Sequence, residues 1–452
     1  MKNEESQSSS KRAVANSSFF ILHSSFLNSP ILRLALPSVV TNITVPLLGL
    51  VDTTVVGHMG RAEYIAAVAI GTTIFNMTYW LFGFLRMGTT GIVSQAHGAG
   101  DEAGIRAGLT HSLRFGLLIS LCLLLLQTPL LRFALWLMQP SAEVAHFVAQ
   151  YFRVCIWGAP AMLASYALTG WFIGMQDTRT PMWMAILQNL VNILCTLLFV
   201  FVFDMGVRGV ALGTVVGVYA GVIYASFNEK LKIKNEKLMD VASLLPTLGG
   251  VGVGLFLRTL CLVAVTVYFT TAGSRMGTLT LDANALLMQF FIIYSYFTDG
   301  LANAAEALSG EYVGRQDRVG LLQVVRQLFR WGIGLALFFT ALYALAGPWF
   351  LSLLTNQQEV IDFALSYLPW LIAVPLVGLA AFIWDGVYIG MTLTSRMFLS
   401  MLVSAIVFFV LWFGLGSCYG NHALWLAFVA YLATRSLMQT LLFIYGRISF
   451  RS

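Results

Sequence analysis

Charge is what this sequence most lacks. Asp, Glu, Lys and Arg make up 10% of its 452 residues, while 58% are hydrophobic. Water-soluble domains carry about 25% charged residues, so water is not the main solvent of this chain. No polar stretch is long enough for a separate soluble domain. Cysteine is also scarce. The five (Cys122, Cys155, Cys195, Cys261, Cys418) lie in or beside apolar runs without a CxxC pair, and read as small buried hydrophobes. Six scattered histidines give no metal spacing such as HxxxH, so no metal and no cofactor are expected. The net charge of +6 is spread over short segments and is no nucleic-acid footprint. Residues 1–30 are Ser/Asn-rich, and their apolar part, SSFFILHSSFL, is too short and broken for a signal peptide. They read as a cytoplasmic tail.

What the chain has is apolar runs of about 20 residues, recurring from Leu32 almost to the end, as bilayer-spanning helices require. Twelve spans are expected, near 32–58, 64–93, 109–131, 145–174, 182–203, 208–228, 247–273, 281–310, 327–347, 359–392, 395–417 and 421–446. With the N-terminus inside, eighteen basic residues fall on the cytoplasmic side, among them Arg33, Arg106, Arg179, Arg315 and Arg396. The other side collects only Arg61, Arg132, Arg208 and Arg275. This positive-inside bias expects both termini in the cytoplasm.

The longest polar connection, NEKLKIKNEKLMD (Asn228–Asp240), falls mid-chain, and across it the sequence repeats at an offset near 216 residues. Trp80–Glu102 lies over Tyr296–Arg318 with Gly98/Gly314 and Asp101/Asp317 in register; Gly170–Thr178 lies over Gly386–Thr394. The expected organisation is a tail (1–30), a six-helix lobe (31–228), a cytoplasmic linker (229–246), a second six-helix lobe (247–446) and a short tail (447–452). Because six is even, the repeats are parallel, and a substrate pathway belongs between them near the midplane.

Four acids lie inside expected spans: Asp52, Asp299, Glu306 and Asp385. A charged side chain at mid-bilayer costs roughly 2.5–3.5 kcal/mol on insertion scales, so each calls for a function or a partner. Arg86 and Arg258 are the evident counter-charges, and pairing with them is the bland account of Asp299, Glu306 and Asp385. Asp299 and Glu306, seven apart, share a helix face. Asp52 has no basic residue in its own span beyond Arg33. Burial favours its neutral form, so it can take up a proton near physiological pH. Pro37 and Pro46 weaken the same helix, Pro46 only six residues from Asp52, and both are candidate hinges. Pro160 and Pro375 are expected to kink their spans. Asn192 and Thr196 share a face of the fifth span and Thr214 lies in the sixth; alone, such groups often just hydrogen-bond across helices, at about 0.6 kcal/mol each.

At these residues the chain resembles the multidrug and toxin extrusion (MATE) family, in its DinF-like branch. The marks are SVVTNITVPLLGLVDTTVVGH in the first span, FLRMGTTGIVSQAHGAGD ending the second, TDGLANAAEALSG in the eighth, WDGVYIGMT in the tenth and GNHALWLA opening the twelfth. The likeness runs over residues 31–446. It implies an all-α integral membrane protein of twelve helices, two six-helix bundles rocking around a central cleft. It also implies a monomeric exporter of amphipathic, often cationic small molecules from the bacterial inner membrane, driven by H⁺ or Na⁺. Asp52 matches the family's first-span acid, and Asn192 and Thr214 its polar partners. Thr196 departs, standing where members often carry a second aspartate. One lost anionic ligand weakens Na⁺ more than H⁺, which favours H⁺. Asn42, Asp299, Glu306 and Asp385 remain candidates for the substrate cavity or a second site.

Two rivals stand beside this reading. A lipid-linked oligosaccharide flippase of the same superfamily needs a strongly cationic cavity, and only Arg86 and Arg258 lie deep in the first and second halves. An integral membrane transferase needs clustered His, Asp or Arg near one membrane face, which the short loops do not supply.

Overall fold

The computed structural model describes residues 29–228 and 244–446, with side chains except at 45–48, 50 and 244–249. Residues 1–28, 447–452 and 229–243 of the expected tails and linker lie outside the described residues, as does the Pro46 side chain. All regular structure among the described residues is helical. The first half runs α1 (Pro30–Gly57), α2 (Ala62–Leu81), α3 (Phe84–Gly98), α4 (Glu102–Leu125), α5 (Gln127–Met138), α6 (Ala142–Cys155), α7 (Ala159–Gly174), α8 (Arg179–Leu197) and α9 (Val207–Ser226). The second runs α10 (Leu244–Arg275), α11 (Thr278–Gly314), α12 (Arg318–Leu354), α13 (Gln358–Leu365), α14 (Leu368–Gly390), α15 (Thr394–Tyr419) and α16 (Asn421–Tyr445). Taken with short breaks joined, eleven of these stretches are long and apolar enough to cross a bilayer, and the 28-residue α1 is the twelfth.

The twelve expected spans are present, but four are broken. The second breaks at Phe82–Gly83. The third ends at Leu125, and α5 starts afresh two residues before Pro129. The tenth divides at Ser366–Tyr367, with Pro369 in the first turn of α14. Pro160 follows a 3₁₀ turn (Ile156–Gly158) and opens α7, where its missing N–H has no helical partner to lose. Pro160 thus stands at the interruption of the fourth span, where a kink was expected, whereas Pro375 lies inside the unbroken α14.

The repeat is visible in the caps. Asp101 accepts the backbone N–H of Gly104 at 2.9 Å, and Asp317 that of Gly320 at 2.8 Å, each closing the first turn of the next helix. It is visible again in the packing. Lipid tails are as apolar as leucine, so these helices associate through close backbone approach at small residues and through hydrogen bonds. Gly170 of α7 lies against the Arg86 carbonyl of α3; Gly386 of α14, 216 residues on, lies against the Ala302 carbonyl of α11. Phe75, Phe152, Leu163 and Val210 centre one core in the first half; Phe290, Tyr294, Phe339 and Trp425 centre another in the second. A third cluster joins the halves, mixing Ile31, Leu34 and Ile173 with Leu301, Leu308 and Tyr388.

Helix α1 ties the halves together. It packs on both α11 and α8. Asn42 Nδ2 donates to the Tyr296 carbonyl of α11 at 3.0 Å, and half a turn later the Thr44 carbonyl accepts from Asn189 of α8 at 2.9 Å. Its backbone stays helical through both Pro37 and Pro46.

Candidate functional site

Asp52 lies near the C-terminal end of α1, where that helix packs on α8 and touches α9. Its side chain is buried and its Oδ1 has no hydrogen-bond partner. The facing helices are shaped to bring polar atoms close. Gly213 and Gly217 of α9 stand one turn apart, and a side chain at either would collide with Thr196 or Asn192 of α8. Those two glycines let α8 and α9 approach at the level of the polar pair. Asn192 Nδ2 then donates to Thr214 Oγ1 at 3.0 Å, and Thr214 donates to its own helix at Val210 at 3.2 Å. Asn192 Oδ1 and Thr196 Oγ1 are buried and unpartnered.

A fourth helix closes the site. Cys155 of α6 reaches the Ala211 carbonyl at 3.7 Å, and the Tyr151 hydroxyl lies 3.4 Å from Thr72 Oγ1. Both groups stand within electrostatic reach of Asp52. Gly71 of α2 makes room for the Tyr151 ring. Three oxygens without partners in one bundle are costly, at about 1–3 kcal/mol for each unsatisfied polar group. Such an arrangement can hold a proton on the carboxyl, or a cation that prefers oxygen ligands.

The second half holds its acids differently. Glu306 of α11 is buried and takes a two-pronged ion pair from Arg86 of α3, at 3.1 and 3.3 Å. Arg86 also donates to Asn303 Oδ1 at 3.1 Å. Asp385 of α14 is gripped by Arg258 of α10 and Arg435 of α16, and accepts from Gln439 at 2.6 Å. Asp299 forms no ion pair among the described residues. Its side chain is accessible, although Arg86, Arg258, Arg435 and Asp385, from four other helices, all lie within electrostatic reach. It therefore faces inward, toward the molecule's own interior, on the same face of α11 as Asn303 and Glu306. The cluster counts three arginines against three acids, so it is neutral with Asp299 ionised.

The MatE family model matches residues 37–198 and 255–413. The DNA damage-inducible protein F of Escherichia coli K12 is 36% identical over 94% of this chain and 95% of its own length. The chain belongs to the MatE family. Solved structures agree on the fold of this MatE protein. "MATE in the bent conformation" superposes with a TM-score of 0.83 at 18% identity, covering 91% of this chain and 93% of that one. The "outward-facing conformation of a multidrug resistance MATE family transporter of the MOP superfamily" gives 0.79 at 18% identity, covering 91% and 94%.

Several residues of this MatE protein escaped the sequence reading. Arg435 was not among the evident counter-charges, yet it is the most enclosed of the three deep arginines. One sign was available: an arginine four residues before Gln439, on one face of an otherwise apolar helix. Tyr151, Cys155, Gly213 and Gly217 left no sign of their own, because their importance lies in which helices meet. Asp52, Asn192, Thr196 and Thr214 come from three helices that pack together. Asp299 and Glu306 share a face but differ in surroundings. Asn42 serves the junction between α1 and α11.

Proposed function

We propose that this MatE protein exports amphipathic, cationic small molecules across the bacterial inner membrane in exchange for protons taken up at Asp52. It does so as two six-helix lobes, residues 31–228 and 247–446, joined by the linker 229–246, with both termini in the cytoplasm. The observation that carries this reading is the contrast among the acids. Glu306 and Asp385 are each neutralised by arginine, while Asp52 is buried with no basic partner among the described residues and a bare oxygen.

A lone buried carboxyl is costly when charged, so its charge is set by what arrives. From the outside a proton neutralises it, a cationic substrate is released, and the α1 helix relaxes against α8. Toward the inside the proton leaves, and the anionic carboxylate attracts the next cation. Exclusion of one charge by the other at a single group is sufficient for exchange. Pro37, half-buried in α1, and Pro46 are the places where α1 lacks a backbone donor and can bend. The flippase reading is weaker, because each deep arginine is already bonded to an acid.

Sodium coupling has its own support in the bare oxygens of Asn192 and Thr196 on α8, the helix that α1 packs on, since Na⁺ needs several oxygen ligands. Purified protein in vesicles with a fluorescent organic cation separates the two. An imposed pH gradient at equal Na⁺ is expected to drive uptake of the dye, and a Na⁺ gradient at equal pH to leave it at background. The reverse pattern would transfer the coupling to Na⁺.

A further inference from the structure

Where α1 begins, the turn between α7 and α8 closes a cavity of about 250 Å³. Arg33 of α1 lines it together with Gln176, Asp177, Thr178 and Arg179 of the turn. The turn is fixed from within. Gln176 adopts left-handed backbone, with φ of 59°, and Asp177 folds back over the start of α8. Its carboxylate accepts the backbone N–H groups of Arg179 and Thr180, each at 3.1 Å, and the Thr180 hydroxyl at 3.0 Å. Pro181 has no N–H to offer. The helix terminus is thus satisfied, and whatever enters the cavity is held by side chains.

One of those side chains lacks a partner. Thr178 is 2% exposed, and its hydroxyl makes no hydrogen bond among the described residues. A buried donor of this kind destabilises the fold until a ligand in the cavity accepts from it. Arg33 and Arg179 are exposed, and among the described residues neither has an ion pair. With Asp177 they give the lining one net positive charge. The fold does not demand that charge, because at the 216-residue offset Asp177 and Arg179 correspond to Leu393 and Ser395. Beyond the cavity both helices present apolar faces in line with their arginines. Leu36 and Val40 follow Arg33 on α1, and Trp183 and Leu190 follow Arg179 on α8, at helical spacing. All four are between 41% and 53% exposed, and α1 packs on α8. Trp183, one turn from Arg179, stands at the depth where indoles favour a bilayer interface.

We propose that this cavity binds the phosphate of a phospholipid with one net negative charge, such as phosphatidylglycerol, whose acyl chains lie along the seam of α1 and α8. The expected orientation puts it in the inner leaflet. Basic pockets between transmembrane helices on that side suit such headgroups, because guanidinium groups meet phosphate oxygens with paired, charge-assisted bonds. The Thr178 hydroxyl supplies a further donor. A zwitterionic lipid brings its own ammonium beside two arginines and is disfavoured, and a free phosphate ion has no chains for the apolar faces. The inference goes beyond the exporter reading, since the cavity lies about 28 Å along α1 from Asp52. A lipid seated there ties the start of α1 to the turn before α8.

The test uses the full chain, purified in detergent and stripped of lipid. It is titrated with dioleoylphosphatidylglycerol or dioleoylphosphatidylcholine while bound lipid is counted by native mass spectrometry. The parent is expected to hold one phosphatidylglycerol at least about tenfold more tightly than phosphatidylcholine, and Arg33→Gln with Arg179→Gln to lose that preference. Thr178→Val, which keeps both charges, is expected to weaken phosphatidylglycerol binding by a smaller factor, and it decides the matter should the double variant melt below the parent. Inorganic phosphate is expected to leave the bound lipid in place. Equal affinity for the two lipids, a preference that survives in a folded double variant, parent-like binding by Thr178→Val, or displacement by inorganic phosphate at the lipid's own concentration would overturn the site. Binding is read without transport, so the result stands even if the exporter reading fails.

Discussion

Asp52→Asn is expected to abolish proton-driven export of organic cations, reducing it at least about tenfold while the protein reaches the membrane in normal amount. The variant keeps shape and volume and loses only the ability to change charge. Folding has little to lose, because among the described residues Asp52 makes no ion pair and its Oδ1 makes no hydrogen bond. Binding and turnover are therefore separable from stability here, which is rarely the case for a buried acid. Dye efflux in intact cells, normalised to protein in the membrane, is the measurement. Export by Asp52→Asn at the parent rate and with the same pH dependence would remove the carboxyl from the mechanism.

The second large effect runs the other way. Asp385→Ala leaves the buried guanidinium groups of Arg258 and Arg435 without their shared carboxylate. Removing one member of a buried ion network typically costs about 3–5 kcal/mol, because the remaining charge stays desolvated. Asp385→Ala is expected to melt well below the parent in detergent, or to fail to accumulate. Replacing Arg258 by Met in the same chain is expected to recover part of that loss, since one uncompensated charge disappears. Equal melting of parent and Asp385→Ala would show the network to be dispensable. The contrast between Asp52 and Asp385 is the point: the same residue type is exchangeable in one half and anchored in the other.

Much of the architecture was legible because lipid imposes a simple grammar. Apolar runs of about 20 residues mark helices, and here that rule located all twelve. The repeat was legible because the capping acids Asp101 and Asp317 and the glycines that follow each half's second helix survive in both copies. Helix breaks were less visible. At Leu126 the chain stays apolar across the interruption, so hydropathy runs on where hydrogen bonding stops. Proline was ambiguous for a similar reason: Pro160 and Pro375 look alike in an apolar run, yet one opens a helix and the other sits inside one.

Within the site, an isolated acid could be read from Asp52 and its neighbours along the chain. Partnership could not. Asp385 and Arg435 are separated by 50 residues and Arg86 and Glu306 by 220, and nothing local in either pair foretells the other. Glycines such as Gly213 and Gly217 matter through the side chains they admit, Thr196 and Asn192, which only the packed helices reveal.

Direct counting of protons is the sharpest examination of Asp52. Purified protein in weakly buffered detergent near neutral pH is titrated with a cationic substrate while a pH indicator is followed. If the two cations compete for one carboxyl, binding of substrate releases up to about one proton per molecule bound, and rising acidity weakens binding by the reciprocal amount. Asp52→Asn is expected to bind with no release and no pH dependence. Equal proton release from parent and variant, or none from the parent across neutral pH, would contradict the account.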